Sequence, residues 1–160
     1  MTLNLGRIKN LPSPIFKQRF KRNLKKELRG NQLDSVASGN SENYVIVGSG
    51  NQVNFNQIGT IGRSGTFRNL IVTVGANGTG TEGFNDTYVG IATQTGGAVS
   101  DLKVIYGNAE TGTKSNEQNE IHVDKGEKVS IEIYGGEGGT TISQVSWSVD
   151  FFEDEIQRNI

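Results

Sequence analysis

The chain has 160 residues, no cysteine and a single histidine, His122, so disulfide frameworks and thiol chemistry are excluded and a multi-histidine metal site or a Ser-His-Asp triad is not expected. No apolar run approaches the ~18 residues that span a bilayer, and no signal peptide is expected at the N-terminus. The formal net charge of −1 is a cancellation: residues 1–30 hold nine basic residues and one acid, giving +8, while the remainder holds seven basic and sixteen acidic residues, giving −9.

Such an asymmetry suggests a basic interaction arm on an acidic globular body. In chain order, residues 1–12 read as an irregular lead. Ser13-Pro14 then supplies a helix start, because Ser caps free N–H groups and Pro at the first helical position loses no hydrogen bond. Ile15, Phe16, Phe20, Leu24 and Leu28 follow at near-i+4 spacing and would form one apolar stripe. Lys17, Lys21, Arg22, Lys25, Lys26 and Arg29 would cover the other faces, with Gly30 as the C-terminal cap. The spacing predicts a helix over about residues 14–29, roughly 24 Å long.

Like charges at i,i+4 make that helix marginal in isolation. It is expected to order against an acidic protein groove, an anionic membrane surface, nucleic acid or its own body. Five large apolar residues need a dry surface, so protein docking satisfies both faces at once. The residues assigned to partner binding are therefore Ile15, Phe16, Phe20, Leu24, Leu28, Lys17, Lys21, Arg22, Lys25 and Lys26.

Residues 31–42 read as a linker and 43–155 as one β-domain. Alternating or β-branched runs predict strands at 44–47, 52–61, 66–74, 87–95, 101–106, 120–123, 128–134 and 141–152. The clearest alternations are Val129, Ile131 and Ile133 against Lys128, Ser130 and Glu132, and Val145, Trp147, Val149 and Phe151 against Ser146, Ser148 and Asp150. Each has one apolar and one polar face, as in an antiparallel sheet packed on one side. Turn clusters separate the strands at Gly48–Gly50, 75–86, Gly96-Gly97, 107–119, 124–126 and 135–139. The sequons Asn77-Gly78-Thr79 and Asn85-Asp86-Thr87 read as turns. The fold class is an all-β antiparallel sandwich of jelly-roll type behind a basic arm.

Three patterns carry the resemblance of residues 66–152 to a known group. They are Asn69-Leu70-Ile71-Val72-Thr73-Val74 with the following Gly/Thr loop, the hairpin from Asn119 to Ile131 around Asp124-Lys125-Gly126-Glu127, and the closing strand Val145-Ser146-Trp147-Ser148-Val149. In this order they resemble small jelly-roll modules of tailed-bacteriophage virions. The resemblance implies a structural role, from capsid decoration to head fibres and tail appendages, commonly as trimers. The basic arm lies outside the pattern and is similar only in character to the anchoring tails of capsid-associated proteins.

Other sites are weaker. Gly107–Ser115 has the look of a phosphate loop, but Thr113 separates Gly112 from Lys114 and a strand follows where a helix is needed. It reads as a polar inter-strand loop. His122 reads as a surface strand residue. Glu153, Asp154 and Glu155 read as a solvated strand end, or as a receiver for the basic arm of a neighbouring copy. The loops 75–86 and 107–119 are candidates for glycan contact, with Tyr88 or Tyr106 as stacking residues. No pair of carboxylates suited to glycoside hydrolysis is evident.

The expected function is a non-enzymatic virion structural protein, a decoration or minor capsid protein whose arm docks on capsid or neighbouring subunits. A homo-oligomer is expected, with a trimer favoured, and no cofactor, metal, membrane span or sequence-specific nucleic acid. The alternative is a fibre or spike head binding a host-surface glycan. A depolymerase and an internal genome-binding protein are the remaining rivals.

Overall fold

A computed structural model of the chain describes residues 25–50, 61–79, 87–94 and 99–155. Among them are eleven strands and no helix: β1 (Lys25–Gln32), β2 (Val36–Ala37), β3 (Ser41–Tyr44), β4 (Gly48–Gly50), β5 (Gly65–Asn77), β6 (Thr87–Thr93), β7 (Val99–Tyr106), β8 (Gly112–Asn116), β9 (Ile121–Val123), β10 (Val129–Tyr134) and β11 (Thr141–Glu153). They form two sheets. The larger runs β4-β1-β11-β5-β8, with β2 on β11 and β9 on β5, and the smaller runs β3-β10-β6-β7. All pairings are antiparallel except β1 with β4.

The apolar sides of the alternating strands meet between the sheets, because period-2 spacing sends every second side chain inward. Phe67, Leu70, Val72 and Val74 of β5 and Ile142, Val145, Trp147 and Val149 of β11 form one wall; Val89, Ile91, Leu102, Val104, Ile131 and Ile133 form the other. Burying each such side chain contributes about 1.5–3 kcal/mol. Phe67 and Leu70 both face inward although they are three residues apart, which a regular strand forbids. The β5–β11 register shifts by one residue there, between Ser148 and Asp150, and the extra residue, Asn69, takes φ 55°. Asn tolerates this left-handed backbone, and its Nδ2 donates to Asp150 Oδ2 at 2.9 Å across the bulge.

The arm boundary differs from the sequence expectation. Lys25, Lys26, Leu28 and Arg29, assigned to the end of a helix, lie in β1, paired from Lys25↔Phe152 to Asn31↔Ser146 on β11. Residues 14–24 of the expected helix lie outside the described residues. Leu28 packs on the core and Gln32 is buried, while Lys25, Glu27, Arg29 and Asn31 face outward. The strand gives Leu28 an apolar surface and pairs Lys25–Asn31 along β11, without the i,i+4 repulsion of a helix. The sandwich thus includes Lys25–Asn31, ahead of the expected start at residue 43, and the expected linker 31–42 contains the end of β1, β2 and the first half of β3.

Gly30 is no cap. A Cβ there would lie 2.7 Å from the Ile46 carbonyl oxygen, 2.8 Å from that of Gly48 and 2.8 Å from Trp147 Cε2. Only glycine admits the Trp147 ring beneath β1 together with the close parallel approach of β4. The indole N–H donates to Ile46 O at 2.8 Å, tying the segment before β4 to the centre of the sheet. Of the expected strand 44–47 only Tyr44 is in a strand, while Gly48–Gly50, read as a turn, is β4. Expected strand 52–61 lies outside the described residues apart from Ile61, which is in no strand. The expected loop 107–119 contains β8.

Gly30→Ala forces two backbone carbonyls and an indole apart at once. It is expected to lower unfolding free energy by about 1–3 kcal/mol, the range for overpacking a filled site. Urea unfolding followed by circular dichroism checks this, and an unchanged midpoint would show that β4 is not held through Gly30.

Candidate functional site

β1 starts and β11 ends at the same end of the larger sheet, with Lys25 opposite Phe152. The chain before Lys25 therefore joins the sandwich beside the Glu153–Glu155 cluster. Lys25 Nζ lies 3.3 Å from Asp150 Oδ2, and Lys26 Nζ lies 2.6 Å from Glu153 Oε1, whose other oxygen is 3.8 Å from Arg63. Part of the acidic cluster thus receives the base of the arm of its own chain. Both lysines are more than half exposed, so each pair adds at most about 1 kcal/mol.

Of the residues assigned to partner binding, the structure describes Lys25, Lys26 and Leu28. It does not put them on one docking stripe: Leu28 turns toward the core, and the two lysines are held by carboxylates on opposite faces of the sheet edge. Ile15, Phe16, Lys17, Phe20, Lys21, Arg22 and Leu24 lie outside the described residues.

His122 is a half-exposed strand residue on β9, as its alternation predicts. Its Nε2 is 2.8 Å from Asp154 Oδ2 and its Nδ1 3.9 Å from Asp124. The hydrogen bond to Asp154 is the main cause that holds the imidazole above its ordinary range, and the charges of Asp154, Asp124 and Glu127 reinforce it. The pairing closes β9 onto the end of β11. Asp154 N also donates to Ser64 O at 2.9 Å.

At the opposite end of the sandwich, loops rich in Gly, Asn and Thr are joined into one hydrogen-bonded cluster. Asn77 Oδ1 accepts from the backbone and hydroxyl of Thr79, Asn77 Nδ2 donates to Glu110 O at 2.9 Å, and the Thr79 and Thr87 hydroxyls are also bonded. Ser38 Oγ donates to Gly136 O at 2.6 Å, and Ala109 N donates to Thr79 O at 3.0 Å. Asn77 of the first sequon is thus buried as the last residue of β5, so the expected turn reading fails there and only Gly78 and Thr79 lie beyond the strand. Of the second sequon, Asn85 and Asp86 lie outside the described residues and Thr87 is the first residue of β6.

The phosphate-loop look-alike has no cradle. Thr113, Lys114 and Ser115 are strand residues of β8, and Lys114 Nζ is held by Ile105 O and Glu110, both at 2.8 Å. Lys114, followed by the backbone N–H of Gly107, keeps the Glu110 carboxyl below its usual range. Asn116 Nδ2 donates to Asp101 O at 3.1 Å and Lys103 O at 2.9 Å. These β8 side chains therefore cap carbonyls along β7, the outermost strand of the smaller sheet, where an unpaired edge would otherwise invite another strand.

Tyr106 is fully buried. Its hydroxyl reaches Val72 O and Gly112 O, and burial pushes its pKa up to about 12, so it is not a stacking surface. Tyr88 does face outward. The registers set Ser41, Tyr134, Tyr88 and Ile105 in one row across the smaller sheet, and Asn43, Glu132, Gly90 and Lys103 in the next. The Tyr88 and Tyr134 rings stack at 5.2 Å between centroids. Glu132 Oε1 accepts from Tyr88 Oη at 2.8 Å and from Ser41 Oγ at 2.5 Å. Burial first, and the Glu132 bond second, push the Tyr88 hydroxyl well above its ordinary pKa.

Beside this face lies an open cavity of about 510 Å³ between β7 and β8, with Lys103, Ile105, Ser115, Gln118 and Asn119 on its wall. Tyr134, Lys103, Gln118 and Asn119 were not legible as a group, because the β10–β6–β7 register places Tyr134 in this face and the packing of β8 against the β7 edge brings Gln118 and Asn119 to Lys103. The outward parity of Tyr88 and Tyr134 was the available signal. Among the described residues no group of three or more His, Asp or Glu is arranged to hold a metal, and no helix is long and apolar enough to cross a membrane.

No protein-family model matches the chain, and no curated protein does. Among solved structures, a Podospora anserina GH26-CBM35 β-(1,4)-mannanase overlaps 83% of this chain at 14% identity and a TM-score of 0.37. The chain spans 29% of that protein's length, and at this similarity the overlap bears on neither fold nor function.

The raised pKa of His122 fixes a sign. A group whose folded pKa lies above its unfolded value of about 6.5 stabilises the fold fully below that value and ceases to do so as pH rises through the folded pKa. The stability difference between the native chain and His122→Gln should therefore be larger at about pH 5.5 than at about pH 8.5. Urea midpoints at the two values measure it, and a difference that grows with pH would contradict the assigned pairing.

Proposed function

We propose that the protein is a non-enzymatic virion structural protein, a decoration or minor capsid protein that the segment before Lys25 fixes to capsid or neighbouring subunits. The observation that carries this reading is the polarity of the sandwich. The basic segment joins at one end, beside Glu153 and Asp154, while the Gly- and Asn-rich loops gather at the other. Residues 1–24 hold six basic residues and no acid, a composition suited to a complementary acidic groove. One end is thus fitted for attachment and the other for display.

The sandwich itself is read as a jelly roll. Its strands pair in a nested series, β1 with β11, β3 with β10, β5 with β8 and β6 with β7. A long hairpin doubled back and wound into two sheets gives this order, and viral capsid domains use that architecture. An oligomer, with a trimer favoured, remains part of the proposal, as does location in the virion.

Removing residues 1–30 would strip β1 from β11, so loss of incorporation by that variant would report unfolding. The informative variant is 25–160, which keeps the whole sheet. It is expected to fold with a native circular dichroism spectrum and to be missing from assembled particles. Incorporation at normal copy number would overturn the anchoring role.

A further inference from the structure

The outer face of the smaller sheet and the cavity at its edge form one continuous surface, with Lys103 and Ile105 belonging to both. Gly90 makes this geometry. A Cβ at Gly90 would lie 2.5 Å from Lys103 Cβ, so glycine lets the lysine stem cross the sheet and place Nζ over the Tyr88 ring, 5.5 Å from its centroid. Among the described residues no carboxylate pairs with that ammonium.

We propose that this surface is a binding site for a neutral oligosaccharide, running from Tyr134 and Tyr88 across Ile105 into the cavity. The chemistry of the wall selects the ligand. The Tyr88 ring is held between Tyr134 and the Lys103 ammonium, so the half-buried Tyr134 ring and the Ile105 side chain, 48% exposed, offer the apolar area to the C–H faces of sugar rings. Around them stand groups that bond hydroxyls: the Lys103 ammonium, the Glu132 carboxylate fixed by two hydroxyl donors, and the Gln118 and Asn119 amides. Asn116 Oδ1 accepts from the backbone N–H groups of Gln118 and Asn119, at 3.1 and 3.0 Å. Their side chains are thereby presented on an ordered turn, which lowers the entropy cost of binding.

Other occupants fit less well. A peptide strand adding to β7 would meet carbonyls of Asp101, Lys103 and Ile105 already taken by Asn116 and Lys114. A polyanion such as nucleic acid would meet Glu110, Glu117 and Glu132 beside the lysines. An apolar ligand would leave the amides and charges unpaired. A cavity of this size lies within the ordinary range for small-ligand sites. The proposal does not depend on how the arm is anchored.

The test uses the full chain on a glycan array that carries neutral hexose and N-acetylhexosamine oligomers together with sialylated and uronic-acid chains. Hits are followed by amide chemical shifts in the unmutated protein. Binding to neutral chains is expected, with shifts centred on Lys103, Ile105, Gln118 and Asn119. The Gln118→Ala variant should bind about tenfold more weakly with an unchanged unfolding midpoint, since that side chain is exposed. An array without neutral hits would overturn the site. So would shifts confined to the loops at 77–79 and 135–140, or binding only to acidic chains that moderate salt abolishes.

Discussion

The pairing of β5 with β11 is the constraint on which the rest of the sandwich depends. Both strands run thirteen residues through the middle of the larger sheet, and β1, β2, β8 and β9 attach to one or the other. A one-residue slip of β11 against β5 would turn Val145, Trp147 and Val149 to solvent together. The bulge at Asn69 prevents that by placing an irregularity that only one register accommodates, with the side chain bonded to Asp150 on the facing strand. From this pair outward each addition is weaker and shorter, ending in the three-residue β4 and the polar β8.

How far the fold could be read from the sequence follows from where apolar residues were needed. β10, and β11 from Val145 to Phe151, alternate with every second side chain in the core, and both were legible. β8 (Gly-Thr-Lys-Ser-Asn) contains no apolar residue, since Lys114 and Asn116 bond carbonyls of β7 instead of filling the core; alternation had nothing to detect. β1 was obscured differently. Leu28 fits both an i+4 series from Leu24 and an inward series with Gly30 and Gln32, and only the facing strand decides between them. Gly30 has the same ambiguity, as a helix cap or as room for an indole. The outward Tyr88 was visible as a candidate, but its neighbours across the sheet were set by register, which no single segment encodes.

The charge division also changes meaning once β1 is placed. Lys25, Lys26 and Arg29 belong to the sandwich, where Asp150, Glu153 and Glu27 neutralise them. Residues 1–24, with six basic residues and no acid, carry +6, and residues 25–160, with ten basic and seventeen acidic residues, carry −7. The body uses part of its acidic excess to hold the start of the first strand of the sheet, through Asp150 and Glu153.

Trp147 is the single tryptophan of the chain, 3% exposed and bonded through its indole N–H to Ile46 O under β1. The protein therefore carries an intrinsic fluorophore at the junction of the parallel pair β1–β4, in the sheet opposite the tyrosine face. Its emission wavelength reads the seating of the β1–β4 edge independently of whatever the other sheet touches. An unlabelled sample can thus report loosening of the first strand, the part nearest the basic segment, before the sandwich as a whole gives way.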